Sequence, residues 1–401
     1  MLMPIIPTAV IACVALRTFA AEPVEPALAP KPAIVERLAA LKANQAVLLG
    51  KADVVGEFNE TARKYNLDKT GPNGRDYSNK MCWAADRGRA LFCGANHGVP
   101  HRLNDVWEFD LPSLTWAMLY APDLPRGYVD LGKDTSDVEF KDGVLITKRG
   151  GPAVVAHTWW GLTYDPRERT LLFMNTWVTD QKKAVAALGG NPADLYPGAP
   201  LWAFEPGARR WRPIKSPPPH FKAVFGGMLE YVPDLGGSVW HGGRTWLFDA
   251  NTANWRDLKA NGGDEKALRA HAPGPEQIGY YDPARKVIVT HRHYDTHQFD
   301  PAKLTWTKVL AGDKDDGKTP YGHDARSLLY HDPVSGHGLL VHFETRAVWA
   351  YDPDGPRWTK LTPDGDPMPK SGKLLAYFDP GQNVLIAIDK TTVWAYRYRM
   401  K

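Results

Sequence analysis

The sequence lacks short motifs that identify several large enzyme classes. It contains no G-x-S-x-G, no H-E-x-x-H and no C-x-x-C, which are patterns of serine hydrolases, zinc peptidases and dithiol sites. A large excess of positive or negative charge is also absent, because the net charge is only +4 over 401 residues and no Lys/Arg run stands out. We expect neither a nucleotide nor a flavin as cofactor. Because the net charge is small and no basic run is present, we expect no nucleic acid as partner.

Long hydrophobic runs are missing too, apart from one at the N-terminus. Residues 4–16 are apolar and are followed by small residues at Ala20 and Ala21, which resembles a secretory signal. The run is too short to span a bilayer, so no membrane span is expected. We predict that residues 1–21 are a signal peptide and that the protein is extracellular or periplasmic. A lipoprotein anchor at Cys13 and an uncleaved N-terminus are the alternatives.

Cysteine is rare, with three residues in the chain. Cys82 and Cys93 flank a turn at residues 86–89, whose centre is equidistant from both. In a two-residue hairpin they would face each other across two strands, close enough to form a disulfide. We predict this disulfide, which suits an exported protein; two reduced, buried thiols are the alternative.

What the sequence does contain is a repeated pattern of aromatic residues. Five times, Trp or His is followed two positions later by Phe or Tyr, then by an acidic residue, and nine positions after the start by Trp. Residues two apart in a strand share a face, so the two rings would anchor one sheet on the next. The five copies start at Trp107, Trp202, Trp246, His297 and Trp349 and close at Trp116, Trp211, Trp255, Trp306 and Trp358, and a truncated sixth starts at Trp394.

Each repeat reads as four short strands over about 50 residues, which is the signature of a β-propeller blade. The fullest copy, NDVWEFD at residues 104–110, resembles the kelch repeat. The resemblance covers residues 79–401 and implies a propeller like the central domain of galactose oxidase, although the Gly-Gly doublet expected after the second strand is mostly absent. Galactose oxidase activity is not expected, since it implies a copper site completed by a separate C-terminal domain, and this sequence ends with its last blade.

We predict an all-β, kelch-type β-propeller with six blades favoured and seven possible, because the interval from Trp116 to Trp211 is about twice the later ones. The sixth copy stops after its third strand. We expect a strand within residues 46–58 to complete that blade and remove an exposed edge.

The chain is predicted to have three parts and to be a monomer. After the signal peptide, residues 22–75 hold a linker, a short helix and the closing strand, and residues 76–401 form the propeller. The helix is predicted because Ile34, Leu38 and Leu41 recur at helical spacing.

Histidines and insertions are predicted to lie on one rim of the propeller. The loops after the second and fourth strands of a blade open on one rim, and the remaining turns on the other. By that rule eleven of the thirteen histidines fall on the first rim, and only His331 and His337 on the second. Two long insertions, residues 122–154 and 177–200, fall on the first rim as well. Long loops on a rigid scaffold usually carry binding, so we place the functional face there.

The histidines indicate three kinds of site, with capping of backbone groups as the alternative for each. Converging imidazoles could hold a divalent metal. His or Tyr could also act as acid and base on a uronate polysaccharide, as in secreted propeller lyases that this arrangement resembles. The catalytic candidates are His157, Tyr321, His323 and Arg326. The ligand-binding candidates are His97, Trp159, His241, His293 and His342. The metal-ligand candidates are His241, His291 and His293.

The function predicted from the sequence is an exported module that recognises carbohydrate or protein through this His-rich rim. The alternative is a polysaccharide-degrading enzyme, in particular a lyase with His and Tyr as acid and base and with or without a metal. Both hypotheses stay open at this point.

Overall fold

A computed structural model describes residues 28–94, 103–126, 131–174, 180–197, 201–214 and 226–399 and shows an all-β protein. The signal peptide predicted for residues 1–21 lies outside the described residues. Within them, no helix has both the length and the apolar character needed to cross a membrane.

Short elements precede the first sheet. They are helix α1 (Pro32–Ala40), strands β1 (Gln45–Lys51) and β2 (Asp53–Gly56), and helices α2 (Glu60–Lys64) and α3 (Leu67–Thr70). Ile34 and Leu38 of α1 are buried, which confirms the amphipathic helix. Its first residue is Pro32, where a missing N–H costs nothing because the first amides of a helix have no intrahelical partner.

Six antiparallel sheets follow one another along the chain, and we call them blades 1 to 6. Blade 1 contains β3 (Cys82–Ala84), β4 (Arg89–Cys93), β5 (Val106–Asp110) and β6 (Thr115–Tyr120). Between blades 1 and 2 lies the hairpin β7 (Val138–Lys141) and β8 (Val144–Thr147). Blade 2 contains β9 (Leu162–Asp165), β10 (Thr170–Met174), β11 (Leu201–Glu205) and β12 (Arg210–Ile214), with helix α4 (Gln181–Ala187) and a 3-10 turn (Pro192–Asp194) inserted between β10 and β11.

The later blades are more regular. Blade 3 contains β13 (Met228–Val232), a 3-10 turn (Pro233–Leu235), β14 (Gly237–His241), β15 (Thr245–Asp249) and β16 (Asn254–Asp257). A 3-10 turn (Ala260–Gly263) and helix α5 (Glu265–His271) lead to blade 4, which contains β17 (Ile278–Asp282), β18 (Val287–Arg292), β19 (Asp295–Asp300) and β20 (Thr305–Leu310). Blade 5 contains β21 (Ser327–Asp332), β22 (His337–His342), β23 (Val348–Asp352) and β24 (Arg357–Leu361). Blade 6 contains β26 (Leu375–Asp379), β27 (Val384–Asp389) and β28 (Thr392–Arg397), after the short β25 (Asp364–Gly365).

The six blades close into a ring, which confirms the favoured blade number. The first strands β3, β9, β13, β17, β21 and β26 each contact the next, and β26 contacts β3. Blade 6 is completed by β1, which pairs antiparallel to β28 with Ala46 opposite Tyr396 and Leu48 opposite Trp394. The predicted N-terminal closing strand is therefore confirmed. It removes the edge that β28 would otherwise expose.

The two insertions pack on each other rather than extending separately. Val138 and Leu145 of the β7–β8 hairpin share one buried cluster with Ala184 and Val185 of α4. The base of the hairpin is tied to blade 1 by the Asp123 carboxylate. That carboxylate accepts hydrogen bonds from Asn104 at 2.7 Å, Thr147 at 2.7 Å, Tyr120 at 3.0 Å and Arg149 at 2.9 Å. The two insertions thus form one small packed unit with its own buried cluster, which is attached to blade 1.

Blades 3, 4 and 5 are joined by a repeated hydrogen-bond chain, which we call the Trp–Thr–His chain. Trp306 Nε1 of blade 4 donates to Thr245 Oγ1 of blade 3 at 2.9 Å, and Thr245 Oγ1 lies 3.0 Å from His241 Nδ1. His241 Nε2 lies 3.1 Å from the carbonyl oxygen of Pro273. A carbonyl only accepts, so Nε2 carries the proton and Nδ1 accepts from the threonine hydroxyl. The same chain recurs in the next pair of blades with Trp358, Thr296, His291 and Pro320.

The cysteines occupy a different register from the predicted one. Ala84 pairs with Arg89, so Cys82 lies opposite Leu91, while Cys93 lies opposite Val106 on the next strand. The turn therefore holds four residues rather than two, and the thiols do not face each other. Both cysteines are free and buried. The predicted Cys82–Cys93 disulfide is wrong, and the alternative of two buried thiols describes the structure.

The Trp–Thr–His chain generates a stability prediction. In Thr296→Val, Trp358 Nε1 and His291 Nδ1 lose their shared partner in a buried site, so we expect the free energy of unfolding to fall by about 1–3 kcal/mol. Urea unfolding followed by tryptophan fluorescence measures this. Thr307→Val, at an exposed position of β20, is the matched control and should change stability little. Equal stability of the two variants would contradict a structural role for the chain.

Candidate functional site

The upper rim, which we define as the ends of the strands joined by the second-to-third loops and by the connections between blades, carries both insertions. Most described histidines lie there, namely His157, His241, His271, His291, His293, His297, His323 and His342. His331 ends β21 and His337 begins β22, so both lie at the opposite, lower rim. His97, His101 and His220 fall outside the described residues, and with them the ligand-binding prediction for His97.

Six aromatic and imidazole rings meet on this rim where the chain enters the inner strands. They are Tyr77, His157, Trp159, His293, Tyr321 and His323, which we call the ring cluster. Tyr77 lies 5.3 Å from His157 and 6.3 Å from His323 between ring centroids. His293 stacks on Tyr321 at 5.4 Å with 9° between their planes, and lies 6.4 Å from His323. Four separate chain segments therefore bring six rings together. Tyr77, His293, Tyr321 and His323 are partly exposed, whereas His157 and Trp159 are buried.

A buried ion pair positions the segment that carries Tyr77. Arg75 Nη1 and Nη2 donate to the two carboxylate oxygens of Asp105 at 2.9 and 2.6 Å, and Asp105 also accepts from Trp107 Nε1 at 2.6 Å. The Trp159 amide then donates to the Tyr77 carbonyl at 2.6 Å. Asp105 belongs to the fullest repeat motif, so a residue of the blade pattern also holds the site.

His293 is held in place by its own left-handed backbone conformation and by its pairing with Gly322. His293 has φ 52° and exchanges two backbone hydrogen bonds with Gly322, at 2.6 and 2.7 Å. A Cβ on Gly322 would lie 2.3 Å from the His291 ring, so only glycine permits this close approach. The bridge fixes His293 beside Tyr321 and His323.

Two carboxylates flank His323 and control its charge. Glu276 Oε2 lies 3.4 Å from His323 Nε2, and Asp324 Oδ1 lies 3.3 Å from Nδ1. Burial lowers the pKa of His323, but Asp324 and then Glu276 more than offset this, so the pKa lies above its usual value. Burial raises the pKa of Asp324 to about 6, against the opposing effect of His323. Among the described residues, neither oxygen of Asp324 has a hydrogen-bond partner.

The pKa of the neighbouring His293 imidazole is displaced in the opposite direction to that of His323. Burial, then Arg292 and His323, lower the pKa of His293, and burial raises that of the Tyr321 phenol. Near neutral pH the cluster thus combines an imidazole that tends to hold a proton with one that tends to be free of it. Such a pair can supply a hydrogen-bond donor and an acceptor, or a general acid and a general base.

A polar plug closes the propeller axis below the ring cluster. Lys80 Nζ forms a buried ion pair with Glu230, donates to the Leu229 carbonyl at 3.2 Å, and lies 5.0 Å from the Trp160 ring. Trp160 Nε1 donates to Glu230 at 3.1 Å. A cavity of about 210 Å³ lies on the far side, lined by all six inner strands. The propeller axis is therefore closed below the ring cluster and is not an open channel.

The structure brings together only some of the predicted site residues. His157, Trp159, His293, Tyr321 and His323 meet in the ring cluster. The exposed Arg326 is close enough to His323 to lower its pKa. The cluster also contains residues that the sequence analysis missed. Neither Tyr77 nor Glu276 carried a signal in the sequence, whereas Asp324 directly follows His323 and could have been noticed.

His241, His291 and His342 lie apart from the cluster. Both ring nitrogens of His241 and of His291 already have partners in the Trp–Thr–His chains, and burial lowers the pKa of each to about 4. A metal would have to displace those partners, so the geometry favours a structural role over the predicted metal ligation. His342 Nδ1 accepts from the Thr345 amide at 3.4 Å and caps a turn. In the described part of the chain, no three His, Cys, Asp or Glu side chains are placed to hold a metal.

One further stretch, residues 312–319, matches the sequence motif G-x-x-x-x-G-K-T of a phosphate-binding loop. That loop requires a strand before it and a helix after it. Here it connects β20 to β21 and no helix follows it, while Asp313, Asp315 and Asp316 add negative charge. The sequence match therefore does not indicate a nucleotide site.

The carboxylate beside His323 generates a prediction for its titration. In Asp324→Asn the negative charge is lost with little change of shape, so we expect the pKa of His323 to fall. Nuclear magnetic resonance of the imidazole Cε1–H signals as a function of pH measures this. His337, at the lower rim, serves as the internal control and should titrate unchanged. An unaltered His323 titration would contradict the assigned electrostatics.

No protein-family model matches the sequence, and no curated protein matches it. The fold is similar to that of several solved structures at low sequence identity. A protein of unknown function from Bacteroides thetaiotaomicron has a TM-score of 0.48 and 8% identity, over 81% of this chain and 70% of that chain. An auxiliary nutrient binding protein from Bacteroides ovatus has a TM-score of 0.48 and 8% identity, over 88% and 76%. An inactive variant of virginiamycin B lyase from Staphylococcus aureus, with quinupristin, has a TM-score of 0.43 and 9% identity, over 82% and 96%. The six-bladed architecture itself rests on the strand pairing described above.

Proposed function

We propose that the protein binds carbohydrate on its upper rim through the ring cluster. The observation that carries this proposal is the contact of six rings from four chain segments, of which four are partly exposed on the rim: Tyr77, His293, Tyr321 and His323. A sugar ring has apolar C–H faces that pack on aromatic rings, and hydroxyl groups that require donors and acceptors at the edges. The partly exposed Tyr321 and Tyr77 offer the former, and Glu276 and the two imidazoles His293 and His323 offer the latter.

The surroundings of the cluster support a binding role. The Lys80–Glu230 plug closes its floor, and the Arg75–Asp105 pair and the Gly322 bridge hold its parts in place before any ligand arrives. A preorganised site loses less conformational entropy on binding. A protein ligand is the other partner considered from the sequence, but a cluster of six rings is small beside a typical protein interface and suits a sugar better.

Binding to a glycan panel, measured by isothermal titration calorimetry, tests the proposal. Removing two stacked rings in Tyr321→Ala with His323→Ala should weaken binding of a recognised glycan by at least about tenfold. His337→Ala, at the lower rim, is the control and should leave affinity unchanged. Circular dichroism establishes that each variant is folded. Full affinity in the double variant, or binding of a protein ligand with silence across the glycan panel, would contradict the proposal.

A second candidate is a lyase acting on a uronate polysaccharide at the same cluster. The observation that favours it is the pair of adjacent imidazoles with pKa values displaced in opposite directions. In this reaction neutral His293 would take the proton from C5 of the uronate. The C4–O bond would break as the C4–C5 double bond forms, and protonated His323 would deliver a proton to the leaving oxygen.

Absorbance of the unsaturated product during incubation with uronate polysaccharides tests this second candidate. If the protein is a lyase, His323→Ala should reduce the rate by at least about 100-fold, because a general acid is lost, while His337→Ala should not. If no unsaturated product forms although the polysaccharide still binds, the lyase is excluded and the binding module remains.

We also propose that the chain is a kelch-type propeller exported by the signal peptide at residues 1–21. The repeated motif and the apolar N-terminal run support this. An extracellular or periplasmic place agrees with carbohydrate as the ligand.

A further inference from the structure

A polar depression lies on the upper rim, beside blade 4. It has a volume of about 320 Å³ and is lined by the end of α5, by residues 272–274 and by four side chains of blade 4. Those four are Arg292, Asp295, His297 and Lys308, and we call this depression the blade 4 pocket. None of the roles assigned from the sequence includes Arg292, Asp295, His297 or Lys308.

Strand pairing explains why the four side chains share one face. Arg292 is paired with Asp295 across the β18–β19 turn, and His297 is paired with Lys308 across β19 and β20. Directly paired residues of an antiparallel sheet project to the same side, and so do residues two apart such as Asp295 and His297. The blade therefore presents two cations, one carboxylate and one imidazole to the same depression.

His297 offers a hydrogen-bond acceptor to this pocket. It is 4% exposed, and its Nδ1 lies 2.7 Å from the His271 carbonyl oxygen. A carbonyl only accepts, so Nδ1 carries the proton and Nε2 of the neutral ring presents a lone pair. Burial lowers the pKa of His297, which keeps the ring neutral near pH 7. Among the described residues Nε2 has no hydrogen-bond partner, so its lone pair is open to a ligand in the pocket.

Arg292 offers two donors beside it. Its Nε donates to the Pro275 carbonyl, and the guanidinium lies against Gly274, where a Cβ would come within 3.0 Å of it. Within the described chain, the terminal nitrogens of Arg292 donate to no protein group. Lys308 Nζ lies 2.6 Å from Asp295, so the two cations that blade 4 contributes to the pocket face a single carboxylate. The net charge of the four side chains is positive, which suits an anion.

The blade 4 pocket adjoins the ring cluster. The segment 273–276 separates the two, with Gly274 lining the pocket and Glu276 lying 3.4 Å from His323 on the other side. Arg292 and His293 are consecutive residues where β18 turns into β19. Arg292 lines the blade 4 pocket, and His293 belongs to the ring cluster. A ligand that stacks on the ring cluster can therefore extend a neighbouring unit into the pocket.

We propose that the blade 4 pocket binds the carboxylate of an acidic sugar, with Arg292 and Lys308 as donors to the carboxylate and His297 Nε2 accepting from an adjacent hydroxyl. A uronate unit carries a carboxylate and hydroxyls on one ring, which matches two donors beside one acceptor. The inference rests on the proposed function and narrows its ligand to glycans that contain uronate.

Calorimetry with two matched pairs of sugars tests the inference. The pairs are a trimer of galacturonate with the galactose trimer of the same linkage, and a trimer of mannuronate with the mannose trimer. At least one uronate trimer should bind about tenfold or more tightly than its neutral counterpart, because a charge-assisted contact is gained. In Arg292→Gln with Lys308→Gln this preference should fall to about twofold or less, with the neutral trimer bound as before.

The control removes the same charge from the other end of the same blade. Lys286 and Lys303 are exposed lower-rim residues, and Lys286→Gln with Lys303→Gln should retain the full preference for uronate. His297→Phe is a second test, since it keeps a ring but removes the acceptor, and it should weaken binding of the uronate trimer.

The outcomes separate this inference from the proposed function. Equal binding of acidic and neutral trimers, or an undiminished preference in Arg292→Gln with Lys308→Gln, would overturn the carboxylate pocket and leave carbohydrate binding at the ring cluster. Loss of preference in the lower-rim control as well would show that net charge, and not this pocket, attracts uronates. Absence of binding to any sugar would overturn the proposed function and this inference together.

Discussion

The ring depends on the contact between the closing tryptophan of one blade and the blade before it. Trp306 and Trp358 reach the hydroxyls of Thr245 and Thr296, and Trp211 Nε1 donates to the Asn104 carbonyl at 3.2 Å. These three contacts each bury a large ring and satisfy its polar nitrogen at once, so they cost no unpaired donor. At the closing Trp116 the ring is buried as well, but its Nε1 has no partner among the described residues. Blades cannot bury their faces alone, which makes this repeated contact and the final pairing of β1 with β28 the conditions for a closed ring.

Closure brings charged groups from distant blades onto the axis. Lys80 precedes blade 1 and Glu230 belongs to blade 3, and they meet only because the ring has a centre. A buried ion pair gains little net stability, since both groups lose their water. Its consequence here is geometric: with Trp160 it separates the ring cluster on the upper rim from the cavity on the other side.

The electrostatics of the upper rim follow from burial combined with neighbouring carboxylates. Asp324 and Glu276 favour the protonated form of His323, whereas His293, next to Arg292, favours the neutral form. His297 is held neutral by burial and by a carbonyl that fixes its tautomer. Three imidazoles on one rim therefore differ in what they offer a ligand: His323 offers a donor, and His293 and His297 offer acceptors. The rigid blades keep these differences constant.

The sequence alone determined the propeller, the closing strand and the rim on which most described histidines lie. These features depend on alternation along a strand and on repeat spacing, and both are local properties of the chain. The number of residues in a turn, which set the register of Cys82 and Cys93, was not recoverable from spacing. Nor did the sequence distinguish His241 and His291, which hold blades together, from His293 and His323, which belong to the ring cluster.

Only the tertiary structure decided which side chains meet. Tyr77, Glu276 and Asp324 joined the ring cluster, and Arg292, His297 and Lys308 formed a pocket, because ring closure and strand pairing place segments from different parts of the chain side by side. Spacing along a strand tells which face a residue occupies. The distance between two such faces is set by how the blades pack, and no local pattern records it.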